Sequence, residues 1–235
     1  MRRRDFIKKA GISSSVFSIV PSKVFGFKGI SPNNKIQIGF IGAGRQGRGL
    51  MKNFIEYDDS QVIAISDVDS KKIDFFSETF GNKILKEKKK KIYLKKFEFY
   101  REMLESPDID AVVIATPDHW HAQMSVDAAK QSKDIYCEKP LSSTIAEGRA
   151  MVNSARKYGV IYQTGSMQRS WKHFRHAVEL IQNGYIGQVK EVNVSIGPPH
   201  KLCDLPSLKP PDHLNWNEWI GPVPYRDYHP DLACL

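Results

Sequence analysis

A short apolar run that ends in three closely spaced glycines constrains the fold more than any other stretch of the sequence. Residues 36–41 form the kind of apolar, β-branched segment that a buried parallel strand needs. Gly42, Gly44 and Gly47 follow with the spacing G-x-G-x-x-G, and residues 48–57 are compatible with a helix. The stretch therefore predicts a strand, a tight turn and a helix that packs closely on the strand.

The three glycines have separate roles in this turn. Gly42 permits the sharp turn out of the strand, and Gly44 has no side chain to hold a pyrophosphate away from the backbone. Gly47 lets the helix approach the sheet, and the amide groups at the positive dipole end of that helix face the phosphates. Together with Arg45 and Gln46, which lie between them, these glycines predict the pyrophosphate site of a dinucleotide.

An acidic residue lies where a dinucleotide site needs one. A second predicted strand, residues 61–66, ends at Asp67, which is 20 residues after Gly47. A carboxylate at this offset accepts hydrogen bonds from the ribose hydroxyls of NAD. A lone G-x-G-x-x-G also occurs in ordinary glycine turns, but the strand, the helix and the acid together favour the dinucleotide.

The same acid bears on the choice between NAD and NADP. Asp67 would repel a 2′-phosphate, which carries roughly two negative charges at neutral pH. Arg45, inside the glycine loop, and Lys71 or Lys72 could offset that repulsion. NAD is therefore the expected cofactor, with NADP as the alternative.

Strand-like and helix-like segments alternate through the first two thirds of the chain. Predicted strands cover residues 36–41, 61–66, 96–99, 109–115, 134–137 and 160–163, and predicted helices cover 48–57, 70–80, 100–105, 122–131 and 144–158. This order is typical of an α/β fold with a doubly wound parallel sheet. Residues 35–160 are predicted to form a dinucleotide-binding Rossmann domain that holds its ligands at the carboxyl ends of the strands.

The pattern changes after Gly165. Residues 169–183 predict an amphipathic helix, and residues 188–196 alternate like a half-exposed antiparallel strand. The last 38 residues contain eight of the thirteen prolines and predict a long irregular loop. Because one strand can neither bury its face nor satisfy its edges, residues 165–235 are predicted to be the incomplete start of a second domain.

The net charge of +9 is not spread over the folded part of the chain. Residues 1–9 and 83–96 carry more positive charge between them than the whole protein, so the remainder is slightly acidic. The lysine run at residues 86–91 favours a solvated loop over a nucleic-acid groove, because no aromatic stacking platform accompanies it. The odd number of cysteines, three, predicts neither a disulfide framework nor a metal site.

The first residues have the plan of an export signal. A basic start is followed by a weakly apolar segment, residues 10–20, which ends at Pro21 and is too short and too rich in serine to span a bilayer. Residues 3–8, Arg-Arg-Asp-Phe-Ile-Lys, resemble the twin-arginine pattern R-R-x-F-x-K. Residues 1–30 are therefore predicted to be a twin-arginine signal and linker for export to the periplasm, with a basic disordered tail as the alternative.

Three motifs in order resemble the Gfo/Idh/MocA oxidoreductase family, which includes proteins similar to glucose-fructose oxidoreductase and inositol dehydrogenase. They are residues 42–47, residues 114–121 (Ile-Ala-Thr-Pro-Asp-His-Trp-His) and residues 138–140 (Glu-Lys-Pro). The resemblance continues through residues 165–170, 184–187 and 214–221, the last of which is similar to an exported subgroup common in Bacteroidetes and Planctomycetes. It implies a Rossmann domain, a second α/β domain with an open antiparallel sheet, and a homo-oligomer at full length.

The resemblance also implies the activity and the site. Lys139 would be the catalytic residue, partly buried beside the nicotinamide and able to exchange a proton with a substrate hydroxyl. Glu138 would accept a ribose hydroxyl, and further contacts with the cofactor would come from Thr116, Pro117, His121 and Gln168. His121 is predicted to form a wall of the site or to begin a helix, and His119 has no assigned role.

Two classes of function follow from this resemblance. The first is an NAD(P)-dependent oxidoreductase that moves a hydride to or from a hydroxyl-bearing carbon of a sugar, polyol or sugar derivative. A variant of it oxidises one sugar carbon transiently to cleave a glycosidic bond. The second class is a truncated, non-catalytic nucleotide-binding module, because the family's further substrate-orienting helix would lie beyond Leu235.

Overall fold

A computed structural model gives the fold of this chain over residues 34–88, 94–197 and 204–233. The predicted export signal lies outside these described residues. Within them, no helix combines the length and the apolar character that crossing a bilayer requires.

Strands and helices alternate as far as residue 164. The strands are β1 (Ile36–Ile41), β2 (Ser60–Ser66), β3 (Lys95–Phe97), β4 (Ala111–Ile114), β5 (Asp134–Cys137) and β6 (Tyr162–Thr164). The helices are α1 (Arg45–Phe54), α2 (Ser70–Lys88), α3 (Tyr100–Leu104), α4 (His121–Lys130), α5 (Ile145–Tyr158), α6 (Met167–Ser170), α7 (Lys172–Gln182), α8 (Trp216–Ile220) and α9 (Pro230–Ala233). A single 3-10 turn, Asp118–Trp120, precedes α4.

The six strands form one parallel sheet with the order β3-β2-β1-β4-β5-β6. This is the strand order of a doubly wound Rossmann sheet, so the predicted fold class is confirmed. The register aligns the last residues of the central strands, because Ile41 pairs with both Ser66 and Ile114, and Ile114 pairs with Cys137. The loops that follow these strands therefore lie next to one another at the carboxyl edge of the sheet.

Two apolar clusters cover the two faces of the sheet. Alternate residues of β1 point to opposite faces, so that Phe40 packs with α1 and α2 while Ile41 packs with α3 and α4. Phe40 contacts Phe76, with ring centroids 5.8 Å apart. Burial on both faces explains why the central strands are almost continuously apolar.

The regions around α2 and α6 differ from the sequence prediction. The lysine run was predicted to be a loop, but α2 continues to Lys88, because lysine, leucine and glutamate are good helix formers. Residues 89–93 lie outside the described residues. The predicted helix 169–183 is two helices, since Trp171 has an extended backbone that separates α6 from α7.

The predicted strand 188–196 is not formed. Its residues are exposed and pair with no strand in the part of the chain that the structure describes. A lone amphipathic segment has no edge to join and no face to bury, so its alternating pattern alone does not produce a strand.

The irregular segment near the end of the described chain packs against the loop that follows β2. The amide of Asn215 donates to the carbonyl of Val68 at 2.9 Å, and the amide of Ser70 donates to the carbonyl of His213 at 3.0 Å. Trp216 and Ile220 of α8 are buried. The tail therefore lies against the loop that follows β2.

Candidate functional site

A cleft of about 960 Å³ opens at the carboxyl ends of β1, β2, β4 and β5. It brings together ten of the twelve predicted site residues: Gly42, Gly44, Arg45, Gln46, Asp67, Thr116, Pro117, His121, Glu138 and Lys139. The other two, Gly47 and Gln168, are not among the residues that line it. These residues come together because the strand register aligns the loops that carry them.

The glycine turn is shaped by close contacts that only glycine allows. Gly42 has a φ of +102°, and a Cβ on it would lie 2.6 Å from the carbonyl oxygen of Ala115. A Cβ on Gly47 would overlap the carbonyl oxygen of Gly42, so the glycine lets α1 pack closely on the turn that follows β1. No described side chain caps α1, so its first amide groups are available to an anion. The turn fits the pyrophosphate of a dinucleotide.

Asp67 joins the end of β2 to the glycine turn. One oxygen of its carboxylate accepts from the amide of Ala43 at 2.7 Å, and the other accepts from the amide of Asp69 at 2.9 Å. Burial raises the pKa of Asp67 above its usual value, although these hydrogen bonds and the nearby Lys72 act in the opposite direction. A carboxylate held in this way retains lone pairs for the hydroxyls of a ribose.

His121 links the loops that follow β4 and β5. Its ring is buried, with Nδ1 2.6 Å from the carbonyl oxygen of Pro140 and Nε2 3.0 Å from that of Thr116. The residue also begins α4 and lines the cleft, as the sequence predicted. It therefore holds the two loops at a fixed separation.

Glu138 is buried and Lys139 is exposed at the same loop. The carboxylate of Glu138 accepts from the hydroxyl of Tyr136 at 3.3 Å and from the amide of Lys139 at 3.2 Å. Burial, together with the adjacent Glu138, raises the pKa of Tyr136 to about 12. The side chain of Lys139 is exposed, whereas the sequence predicted partial burial beside the nicotinamide.

Gln168 is exposed on α6 and is not among the residues that line the cleft. Sequence reasoning missed several residues that do line it: Glu98, Phe99, Tyr100, Trp120, Glu218 and Trp219. Those that follow β3 could have been found from the rule that ligands meet strand ends. The two from the tail carry no local signal, since only a long-range contact brings them to the sheet.

This sheet, with its glycine turn and its acid at the end of β2, defines a dinucleotide-binding protein of the Rossmann class. Residues 36–166, more than half of the chain, match the family model described as "Oxidoreductase family, NAD-binding Rossmann fold". The chain belongs to the Gfo/Idh/MocA family of NAD-binding oxidoreductases.

Curated relatives and solved structures agree with this family. The chain is 31% identical over 165 residues to a myo-inositol 2-dehydrogenase of Thermotoga maritima, covering 70% of the chain and 46% of that protein. It is 30% identical over 173 residues to a glycosyl hydrolase family 109 protein of Shewanella pealeana, covering 67% of the chain and 37% of the relative.

Among solved structures, the fold is similar to scyllo-inositol dehydrogenase from Lactobacillus casei with bound NAD(H) and scyllo-inositol. The TM-score is 0.55 at 26% identity, and the match covers 65% of this chain and 42% of the other. The chain thus matches less than half the length of each of these proteins.

Proposed function

We propose that the protein uses NAD to oxidise a hydroxyl-bearing carbon of a sugar or polyol, or to reduce the corresponding carbonyl. The observation that carries the proposal is that Lys139 opens into the same cleft as the glycine turn and Asp67. The similarity to inositol dehydrogenases supports a polyhydroxylated substrate. Arg45, Gln46 and the amide groups of α1 would hold the pyrophosphate, and Asp67 would hold the ribose of the adenosine.

In this proposal Lys139 would move the substrate proton. Bound NAD supplies the hydride acceptor. The ammonium or amine of Lys139 would give a proton to, or take one from, the substrate oxygen as the C–H bond forms or breaks. Glu138 and His121 fix the backbone on either side of Lys139, so they position this side chain. Thr116 and Pro117, which follow β4, also line the cleft.

We also propose NAD as the physiological cofactor in preference to NADP. The cleft beside β2 is lined by three carboxylates, those of Asp67, Glu98 and Glu218, and the cations Arg45, Arg48 and Lys72 also line the cleft. The preference rests on Asp67, because it lies at the end of β2, where the adenosine ribose would bind and a 2′-phosphate would be repelled. Parallel fluorescence titrations with NADH and NADPH test the preference, and tighter binding of NADPH would contradict it.

The substrate class is tested with a panel of inositols, hexoses and hexosamine derivatives. Each compound is mixed with the protein and NAD, and NADH is followed by its absorbance. We expect turnover with at least one polyol or sugar. If the protein binds NADH but no member of the panel changes the absorbance, the result contradicts the proposed activity and favours the non-catalytic nucleotide-binding module.

A second candidate is the glycosidase reaction that oxidises a sugar carbon only transiently. The similarity to a glycosyl hydrolase family 109 protein favours it. Both reactions would use the same cleft and the same proton transfer at Lys139. Chromogenic aryl glycosides distinguish them: release of the chromophore that requires NAD without accumulation of NADH would identify the glycosidase.

A further inference from the structure

Residues 213–221, called here the wall segment, lie beside the part of the cleft that follows β2. Their first half is hydrogen-bonded to the β2 and β3 loops. The side-chain amide of Asn215 donates to the carboxylate of Glu98 at 2.8 Å, and the backbone of Asn215 donates to Val68 at 2.9 Å. The oxygen of the Asn215 side chain also accepts from the amide of Glu218 and so begins α8. The segment is therefore anchored where it meets the sheet.

The second half of the wall segment is fixed on Trp120. The carbonyl oxygen of Trp219 accepts from Nε1 of Trp120 at 3.0 Å and lies 2.9 Å from Nε2 of His119. Gly221 packs directly on the indole of Trp120 with a φ of +56°, and a Cβ there would overlap the ring. The contact with Trp120 explains the glycine at position 221. The carbonyl oxygen of Trp219 gives a partner to His119, to which the sequence assigned no role.

An aromatic stack holds the segment in one shape. The rings of Trp216 and Trp219 lie 4.7 Å apart at an interplanar angle of 13°. Nε1 of the buried Trp216 donates to the carbonyl of Arg226 at 2.8 Å, and the ring of Tyr228 meets it edge-on. The Trp219 ring is thus held by the stacked Trp216 ring and by the His119 ring, which meets it edge-on with the centroids 5.3 Å apart.

Glu218 and Trp219 line the same cleft as Asp67, Val68 and Lys72. The end of β2 is the place where a Rossmann sheet receives the adenosine ribose. We propose that the wall segment forms the outer wall of the adenosine half of the cleft and determines its affinity for adenosine nucleotides. Trp219 offers an aromatic surface to the adenine base. The proposal rests on NAD binding in this cleft.

The test displaces the wall segment with one methyl group. In the full 235-residue chain, Gly221→Ala conflicts with Trp120 and should move the segment off its seat. Gly159→Ala is the matched control, because Gly159 also has a positive φ, +68°, but has open space around it. NADH binding is followed by energy transfer from the tryptophans, and ADP-ribose binding by calorimetry.

We expect Gly221→Ala to weaken the binding of NADH and of ADP-ribose by the same factor, about tenfold or more. The reason is that both ligands contain the adenosine group that the wall segment would contact. Gly159→Ala should stay within about twofold of the parent protein. Trp219→Leu keeps the backbone carbonyl that Trp120 and His119 contact, and it should also weaken ADP-ribose binding. If circular dichroism shows that Gly221→Ala does not fold, the result for Trp219→Leu decides the test.

The outcomes separate this proposal from the proposed function. If the parent protein binds neither NADH nor ADP-ribose, NAD binding in the cleft fails and the wall proposal fails with it. If the parent protein binds both ligands and the folded Gly221→Ala and Trp219→Leu variants bind ADP-ribose as tightly, the wall segment is not part of the adenosine site. If these variants lose NADH binding but bind ADP-ribose unchanged, the proposal is also overturned.

Discussion

Asp67 shows how one residue can serve both the fold and the site. The sequence predicted it from its offset after the glycine turn, and the structure places it in the cleft as expected. Its hydrogen bond with Ala43 was not predicted, because a backbone contact between two loops has no sequence pattern. The bond means that the acid also holds the glycine turn against the end of β2.

The raised pKa of Asp67 gives NAD binding a pH dependence. Protonation replaces an acceptor for the ribose and for two backbone amides with a neutral acid, and burial makes this happen at a higher pH than for a free carboxyl group. NAD affinity should therefore fall as the pH is lowered from neutrality, before ordinary carboxylates titrate. Calorimetric titration with NAD at several pH values measures this dependence.

Asp67→Asn is the control for that titration. The variant should bind NAD more weakly at neutral pH, because the amide can donate as well as accept, but its affinity should change little over the same pH range. An equally steep pH dependence in the variant would assign the effect to another group.

Lys139 should matter for turnover and little for NAD binding. Its side chain is exposed, and it follows β5, whereas the glycine turn that would hold the pyrophosphate follows β1. Lys139→Ala should lower kcat by about 10²–10⁴-fold, the usual contribution of a general acid or base. The dissociation constant for NADH should stay within about twofold. Lys157→Ala, which removes another exposed lysine from α5, is the control, and full activity in Lys139→Ala would exclude this lysine from the mechanism.

At the scale of elements, local chemistry explains what the sequence could predict. Thr144 was expected to begin a helix, and it caps α5 by accepting from the amide of Glu147, whose side chain accepts from Thr144 in return. The strand β5 was predicted with its observed bounds, since its apolar residues lie between turn signals. The length of α2 was missed because its lysines were interpreted as a solvated loop, although lysine is a good helix former. The helix break at Trp171 was missed because the amphipathic pattern continues across it.

Helix α1 contains two glycines with opposite roles, which makes a matched pair of variants. Gly47→Ala would place a methyl group on the carbonyl of Gly42, so α1 must move away from the strand, whereas Gly49 has open space around it. Gly47→Ala should lower the free energy of unfolding by about 1–3 kcal/mol, as overpacking does. Gly49→Ala should raise it by about 1 kcal/mol through helix propensity.

Urea denaturation followed by circular dichroism measures both variants, and an NADH titration accompanies it. Gly47→Ala should also weaken NADH binding, because the displaced helix α1 no longer presents its amide groups at the cleft. Equal stability of the two variants would mean that the close contact between Gly47 and Gly42 is not a constraint on the fold.

At the scale of the whole molecule, the sheet and the site edge were predictable, and the tail was not. A parallel sheet follows from alternating strand and helix patterns, and its ligand edge follows from the strand ends. Ten of the twelve predicted site residues line the cleft for this reason. The packing of Asn215, Trp219 and Gly221 against the loops that follow the strands depends on contacts between residues about 100 or more positions apart, for which the local sequence gives no signal.

The last prediction concerns export and rests on the pair Arg3 and Arg4 near the start of the chain. We propose that the protein is exported through the twin-arginine route, which carries folded proteins and would let the protein bind NAD before it leaves the cytoplasm. Replacing Arg3 and Arg4 by lysine keeps the positive charge but removes the pair that the receptor reads, so a reporter fused to residues 1–30 should stay inside the cell. Arg2→Lys makes the same chemical change outside the pair and should leave export intact. Export that survives the double change would indicate a general secretory signal, and loss of export in Arg2→Lys would show that total arginine content, not the pair, is read.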